Sequence, residues 1–160
     1  MSGAADRPDA GPQRDDLLRL DMQVCFPLYA ASNLLTRRYR PVLEPLGLTY
    51  PQYLVMLVLW EDTPKTVGEL GDLLHLDSGT LTPLLKRMEA AGLVSRRRDP
   101  ADERRVLIDL TPAGRALQER ARDVPLTLFA GTGVTEAELG TLRDAVQKVV
   151  DLLAGTRPEA

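Results

Sequence analysis

The chain has 160 residues, enough for one domain with a buried core, and carries a formal net charge of −3. Its composition, 44% hydrophobic and 27% charged, is typical of a globular protein, and no apolar run approaches the roughly 18 residues that cross a bilayer. Because the N-terminus lacks the apolar segment of a secretory signal and the single cysteine cannot form an internal disulfide, we expect a cytoplasmic protein with no membrane partner.

The first helix is predicted to follow a disordered tail. Residues 1–14 mix Gly, Ala, Pro and Asp without periodicity, so they cannot bury enough apolar surface to become ordered. Helical sequence covers 17–40, and Pro27, which fits best in a first turn, predicts that the regular helix begins near Cys25. Pro41 and Pro45 then punctuate the piece VLEPLG, which we expect to be a short helical segment.

Two capping boxes mark the next helices. Thr49, followed three residues later by Gln52, predicts a helix start, and the segment YPQYLVMLVLWE is apolar almost all the way round, as a central buried helix would be. Thr66 with Glu69 predicts a second start, and this short helix should stop at 75–77. A three-residue turn then separates it from another helix.

That following helix has a clear apolar face. Asp77 or Ser78 can cap its start, and Gly92 stands where a left-handed C-terminal cap is expected. Pro83 would remove one helical hydrogen bond, which leaves the conformation of the first turn open. The positions at i, i+3, i+4 and i+7 are Leu81, Leu84, Leu85 and Met88.

A hairpin and two more helices complete the pattern. The runs 93–98 and 104–110 are rich in Val, Leu and Ile and flank a polar turn, which predicts two paired strands. Thr111, followed by a proline, predicts a helix that ends at 131–133, and Thr135 begins the last capping box and helix. The last helix repeats apolar residues at alternating steps of three and four, which favours a partner helix: Leu139, Leu142, Val146, Val149 and Leu153.

Together these elements predict a mainly α fold with a small β-hairpin. The expected architecture is a winged helix-turn-helix with N- and C-terminal dimerisation helices. The divisions are a disordered tail over 1–14, dimerisation and sensor helices over 15–48, the winged helix-turn-helix DNA-binding domain over 49–111, and C-terminal dimerisation helices over 112–155.

The element order and the local charge both favour DNA binding. A second helix of this motif fits the major groove, and a ribbon can reach the adjacent minor groove. From Lys86 to Arg105, seven basic and four acidic side chains give a local charge of +3, which leaves −6 for the rest of the chain. The alternative is that the run RRR belongs to a solvated strand. The groove-facing candidates opposite the apolar face are Thr82, Pro83, Lys86 and Arg87.

The DNA-binding half also resembles a known family. The segment LDSGTLTPLLKRMEAAGLVSRRRDPADERRVLIDLTPAGRAL is similar to the signature of the MarR family of transcription regulators, whose wing bears an acidic-x-Arg motif. Asp102 and Arg104 match that motif. The expected DNA-binding residues are therefore Ser78, Thr80, Thr82, Pro83, Lys86, Arg87, Arg96, Asp102, Arg104 and Arg105.

The N-terminal half resembles the sensor half of one branch of that family. The segment VCFPLYAASNLLTRRYRPVLEPLGLTYPQYLVMLVLWE is similar to the organic hydroperoxide resistance regulators, in which one cysteine near the start of the first helix is oxidised. Cys25 occupies that position. The resemblance implies that Tyr39 and Tyr50 hydrogen-bond to the cysteine thiolate across a dimer, and Tyr29, one turn from Cys25, could line the same pocket.

A lone cysteine limits the redox chemistry. A helix N-terminus and neutral hydroxyl donors favour a thiolate, which attacks a peroxide to give a sulfenic acid. With no second cysteine in the chain, the sulfenic acid at Cys25 must proceed to a mixed disulfide with an external thiol, a sulfenamide or over-oxidation. The alternative is that Cys25, between Val24 and Phe26, is a small buried hydrophobic residue.

The sequence therefore predicts a dimeric repressor that senses organic hydroperoxides through Cys25 and then releases an inverted-repeat operator in double-stranded DNA. The expected partners are DNA, a second copy of the chain, the hydroperoxide inducer and a low-molecular-weight thiol. One alternative is a MarR-type repressor released by a small apolar or phenolic ligand, with Cys25 only structural; a thiol peroxidase is another. With His75 as the one histidine and no phosphate loop or triad, we expect no metal, no cofactor and no enzyme.

Overall fold

The structure is a computed structural model that describes residues 16–155, so the predicted tail over 1–14 lies outside the described residues. The α-helices are α1 Cys25–Leu43, α2 Tyr50–Glu61, α3 Val67–Leu74, α4 Ser78–Ala90, α5 Pro112–Ala121, α6 Val124–Phe129 and α7 Glu136–Gly155. The strands are β1 Lys65–Thr66, β2 Val94–Arg98 and β3 Val106–Leu110. Short 3-10 turns lie at Asp16–Leu18, Leu20–Met22 and Glu44–Leu46.

The first helix begins where Pro27 predicted but ends later than expected. α1 starts at Cys25, and the chain before it forms 3-10 turns instead of helix. Pro41 does not break α1, which continues to Leu43. Leu43 is fully buried, and its burial offsets the one backbone hydrogen bond that Pro41 removes. The expected boundary at Pro41 was therefore wrong by three residues.

Helix α2 lies at the centre of the core. The predicted capping box is present, with the Thr49 N–H donating to Gln52 Oε1 at 2.9 Å. The core around α2 is formed by α1, α3, α4, α5 and the sheet, so the prediction of a central helix is confirmed. The buried residues of α2 are Tyr53, Val55, Met56 and Leu59.

The helix-turn-helix is α3 and α4. His75 ends α3 in the left-handed conformation with φ of 52°, and Asp77 caps α4 by accepting the Thr80 N–H on Oδ1 at 2.8 Å. α4 includes Pro83, which settles the boundary that the sequence left open. At its end Gly92 has φ of 72° and the Leu93 N–H donates to the Met88 carbonyl at 3.0 Å, which is the expected left-handed cap.

The sheet has one strand more than the predicted hairpin. β2 and β3 pair antiparallel as expected, and β1 pairs with the other edge of β3 to give the order β1-β3-β2. In the β1–β3 register, Lys65 lies opposite Ile108 and Thr66 opposite Leu107. A two-residue strand carries no alternation for a sequence pattern to detect.

The C-terminal part differs from the expected single helix over 112–130. α5 ends at Ala121 and α6 begins at Val124, because Pro125 fits only in a first turn. α7 follows its capping box, in which the Thr135 N–H donates to Glu138 Oε2 at 2.8 Å. α7 buries none of its residues within the described chain, and Leu142 of its apolar seam is 58% exposed.

Within the described range 16–155, no single helix is long and apolar enough to cross a membrane. The one helix pair that reaches that length together, Cys25–Leu46 and Tyr50–Glu61, is bent by 67° at its break.

Candidate DNA interface and cysteine site

Helix α4 presents two faces of opposite character. Its apolar residues Leu81, Leu84, Leu85 and Met88 are buried against the core, and this fixes its rotation about its axis. The opposite face carries hydroxyl and basic groups, which can donate to phosphates and base edges. Pro83, Lys86 and Arg87 are exposed there, Ser78 and Thr80 are exposed in the first turn of the helix, and Thr82 is half-buried.

The start of α4 is ordered by its own cap. Besides its N–H, Thr80 donates its hydroxyl to Asp77 Oδ2 at 3.1 Å. These bonds from the backbone and then the side chain of Thr80 lower the pKa of Asp77 below its usual range. Thr80 therefore serves the helix cap, while Ser78 and Lys86 leave their polar ends in solvent.

The wing tip holds one strongly exposed arginine. The side chain of Arg104 is 91% exposed, and its Nε lies 3.1 Å from Asp102 Oδ1. The same oxygen accepts the Arg104 backbone N–H at 3.1 Å, and both interactions, the side-chain one first, lower the pKa of Asp102. Asp102 thus orders the tip while Arg104 extends from it. Arg105 is also exposed, with Nε 3.9 Å from Asp99 Oδ2.

The arginines of β2 divide between two faces. Arg96 lies on the same face as the buried Val94, is 27% exposed, and pairs with Glu89 at 2.8 Å. Arg97 lies on the other face and is exposed, yet it was not among the expected DNA-binding residues. The strand alternation of β2 could have identified it, because side chains two apart share a face.

Cys25 is the first residue of α1 and is exposed in the described chain. Tyr29, one turn later, is also exposed. Tyr39 lies on the same helix 14 residues further on, about 21 Å along the axis at the helical rise per residue. A single chain therefore does not bring Cys25 to Tyr39, and it leaves Cys25 exposed.

Tyr39 and Tyr50 instead contact each other. Their rings stack with centroids 4.4 Å apart and planes at 25°, and Tyr53, which sequence reasoning did not single out, lies 5.8 Å from Tyr39. Burial and then the neighbouring tyrosines raise the pKa of Tyr39 to about 12, and burial raises the pKa of Tyr50 and of Tyr53. At neutral pH these hydroxyls are therefore protonated and able to donate hydrogen bonds.

A cleft of about 550 Å³ lies beside the stacked tyrosines. Its lining includes Tyr50, the basic residues Arg37 and Arg40, and the acidic Glu44. Over residues 16–155, no group of three or more His, Cys, Asp or Glu side chains is placed to hold a metal ion.

Comparison with known proteins adds to this geometry. Residues 37–120 match the family model of the transcriptional regulators SarA/Rot. The chain is 46% identical to the organic hydroperoxide resistance transcriptional regulator of Bacillus subtilis, over 86% of this chain and 94% of that protein. Reduced AbfR bound to DNA superposes with a TM-score of 0.76 at 34% identity, covering 89% of this chain and 99% of that one. A mutant MarR from E. coli complexed with operator DNA superposes with a TM-score of 0.67 at 30% identity. The match covers 77% of this chain and 90% of that one.

Proposed function

Because the chain belongs to the MarR family of winged-helix transcription regulators and is of the organic hydroperoxide resistance regulator type, we propose that it is a dimeric repressor that releases its operator when Cys25 is oxidised. It is a DNA-binding regulator and not an enzyme. The observation that supports sensing is the combination of an exposed cysteine at the start of α1 with two stacked, protonated tyrosines too distant to reach it within one chain.

Formation of a dimer would bring Cys25 of one protomer close to Tyr39 and Tyr50 of the other. The N-terminal half of α1 and the seam of α7 expose apolar side chains such as Phe26, Leu34 and Leu142, which a two-fold partner would cover. We place dimerisation in 15–48 and 112–155, on either side of the winged domain. Tyr39 and Tyr50 of one protomer would then donate to the Cys25 thiolate of the other.

DNA binding would use the exposed face of α4 in the major groove and the wing tip in the minor groove. The proposed groove contacts are Thr82, Lys86 and Arg87, with Ser78 and Thr80 near the phosphates at the helix start. Arg104, held by Asp102, would enter the minor groove, where negative potential attracts arginine.

Replacing Arg104 by alanine tests the wing. We expect the affinity for the operator to fall at least about fivefold and the slope of log K against log salt to become shallower by about one, because one cationic contact is lost. The measurement is fluorescence anisotropy at several salt concentrations, on a duplex selected with the reduced protein from a random library. Arg143→Ala on α7 is the control, because it removes an exposed arginine whose Nε lies 3.2 Å from the adjacent Asp144 Oδ1. Equal losses in both variants would contradict a minor-groove role.

The sensing chemistry balances with two external reactants. The Cys25 thiolate attacks one peroxide oxygen, so an S–O bond forms, the O–O bond breaks, and the departing alkoxide takes a proton to leave as an alcohol. A small thiol then attacks the sulfenic acid, which forms a mixed disulfide and releases water. The sulfur is oxidised and the hydroperoxide is reduced.

Oxidation would weaken the dimer contacts that set the spacing of the two α4 helices. A mixed disulfide adds the bulk of the small thiol at Cys25, where Tyr39 and Tyr50 of the partner would approach, and this adduct needs space between the protomers. The winged domains would then reorient and lose their match to two half-sites one helical turn apart.

The test of this proposal follows release and modification in one sample. The reduced protein on its operator is treated with a slight excess of cumene hydroperoxide in the presence of cysteine. We expect loss of DNA binding to proceed in step with the intact-mass increase of one cysteine adduct per chain. Release without any mass change would contradict oxidative sensing.

A small-molecule inducer is the second candidate, because the cleft beside Tyr50 has a volume suited to a ligand. An apolar or phenolic compound bound there could separate α1 from α2 without any redox step. Under that function, hydroperoxide would be inert and a simple phenol would release the operator.

A further inference from the structure

We propose that the Glu89–Arg96 ion pair positions the wing on the recognition helix, so that Arg96 supports operator binding through Glu89 and not as a DNA contact. The inference rests on the proposed role of α4 and the wing in operator binding. It reassigns Arg96, which the sequence placed among the DNA-binding residues, and it gives a function to Glu89, which the sequence did not single out.

The pair joins two elements at a specific point. Glu89 lies in the last turn of α4, and Arg96 lies at the middle of β2. Arg96 Nε donates to Glu89 Oε2 at 2.8 Å, and the Arg96 backbone N–H lies 3.3 Å from Oε1. Both carboxylate oxygens therefore contact one residue, and they fix its backbone as well as its side chain.

The ion pair supplies the side-chain hydrogen bonds that join α4 to β2. Among residues 16–155, these are the only side-chain hydrogen bonds between α4 and β2. The wing tip beyond Arg96 is closed by its own bonds: Arg98 Nη1 donates to the Glu103 carbonyl at 3.0 Å, and the Asp99 N–H donates to the Arg105 carbonyl at 2.9 Å. On the side of α4, the angle of the hairpin therefore depends on the buried Val94 and on this ion pair.

The geometry also limits what Arg96 can do on DNA. Its side chain is 27% exposed and follows the helix-facing side of β2, whereas Arg97 and Arg104 extend into solvent. An arginine that turned toward a phosphate would leave Glu89 unpaired beside the polyanion. The pair therefore favours Arg96 remaining on Glu89 when operator is bound.

Whether removal of Glu89 raises or lowers operator affinity distinguishes two roles: repelling the DNA phosphates and positioning the wing. Removing a carboxylate from a DNA-binding surface ordinarily raises the affinity for DNA, because it removes repulsion of the phosphates. If Glu89 positions the wing, its removal weakens binding instead, since Arg104 is no longer aimed at the groove. Only the positioning role predicts a loss.

The experiment measures operator affinity of the full-length protein by anisotropy over a range of salt concentrations. The variants are Glu89→Ala, Arg96→Ala, the double variant, the exchange Glu89→Arg with Arg96→Glu, and Arg97→Ala as the exposed arginine control. We expect Glu89→Ala and Arg96→Ala each to weaken binding about fivefold, with the double variant no weaker than either single one. Arg96→Ala keeps the wild-type salt slope, whereas Arg97→Ala makes it shallower by about one. The exchange variant restores the ion pair but not the acceptor for the backbone N–H at position 96, so it regains part of the affinity.

Three results would overturn the proposal: tighter binding by Glu89→Ala, a shallower salt slope for Arg96→Ala, or additive losses in the double variant. Thermal unfolding of each variant shows whether a loss reflects global instability, and the exchange variant supplies the test where a single variant is unstable. Failure of the wild-type protein to bind any duplex would instead refute the proposed function, so the two failures are distinguishable.

Discussion

We expect Gly114→Ala to destabilise the protein strongly, and more than the other glycine-to-alanine substitution proposed for this chain. Gly114 is buried in the first turn of α5, and a Cβ there would lie 2.1 Å from the Leu93 carbonyl oxygen and 3.1 Å from its carbon. Both atoms belong to the backbone, so the neighbour cannot rotate away. The helix itself would have to move.

That movement is resisted on several sides. Thr111 Oγ1 donates to the Gly92 carbonyl at 2.6 Å and accepts the Gly114 N–H at 3.0 Å. The indole Nε1 of Trp60 donates to the Gly114 carbonyl at 2.9 Å. The start of α5 is therefore fixed between α2 and the corner where α4 becomes β2, and a shift breaks these bonds.

The expected cost is at least about 3 kcal/mol, at the upper end of overpacking effects, which corresponds to a fall of about 10 °C in Tm for a chain of this size. Differential scanning calorimetry of the reduced protein measures it. The matched control is Gly68→Ala in the first turn of α3, where the nearest atom to a Cβ is Thr66 Oγ1 at 3.9 Å. That variant should be neutral or more stable by up to about 1 kcal/mol.

A Gly114→Ala protein that melts with the wild type would contradict the close seating of α5 on Leu93. Because Leu93 leads directly into β2, the same variant should also weaken operator binding at temperatures where it remains folded. The contact links the first of the C-terminal helices to the base of the wing.

Much of the fold was predictable from the sequence because its signals are local. Each capping box places its helix start within a few residues, and the spacing of Leu81, Leu84, Leu85 and Met88 gives the correct face of α4. Gly92 marks the helix end because few other residues adopt a positive φ without strain.

Most of the incorrect predictions concern elements whose structure depends on contacts with residues distant in the sequence. β1 is a strand only because β3 lies beside it, and α1 continues past Pro41 because Leu43 is buried in a core that the local sequence does not reveal. The break between α5 and α6 is different, since Pro125 was a readable signal that the pattern of apolar residues outweighed.

The candidate site was likewise predictable where its signals are local and not where it depends on distant contacts. The exposed face of α4 follows from periodicity, whereas the Glu89–Arg96 pair joins residues whose contact depends on the path of the chain through Gly92. The proximity of Cys25 to Tyr39 and Tyr50 was implied by family resemblance and requires a second protomer. Composition and spacing within one chain do not contain it.

Replacing Cys25 by serine is expected to abolish the response to hydroperoxide completely. Serine has nearly the same shape and keeps an oxygen to which Tyr39 and Tyr50 of a partner could donate, but it cannot form a sulfenic acid or a disulfide, so we expect the operator affinity of the unoxidised variant to lie within about twofold of wild type. The variant therefore separates sensing from DNA binding.

The most direct measurement is operator anisotropy of wild type and Cys25→Ser before and after a slight excess of cumene hydroperoxide with cysteine, and again after dithiothreitol. We expect only the wild type to release DNA and dithiothreitol to restore its binding. If both proteins release the operator, or if neither does, Cys25 is not the switch and the oxidative account is contradicted.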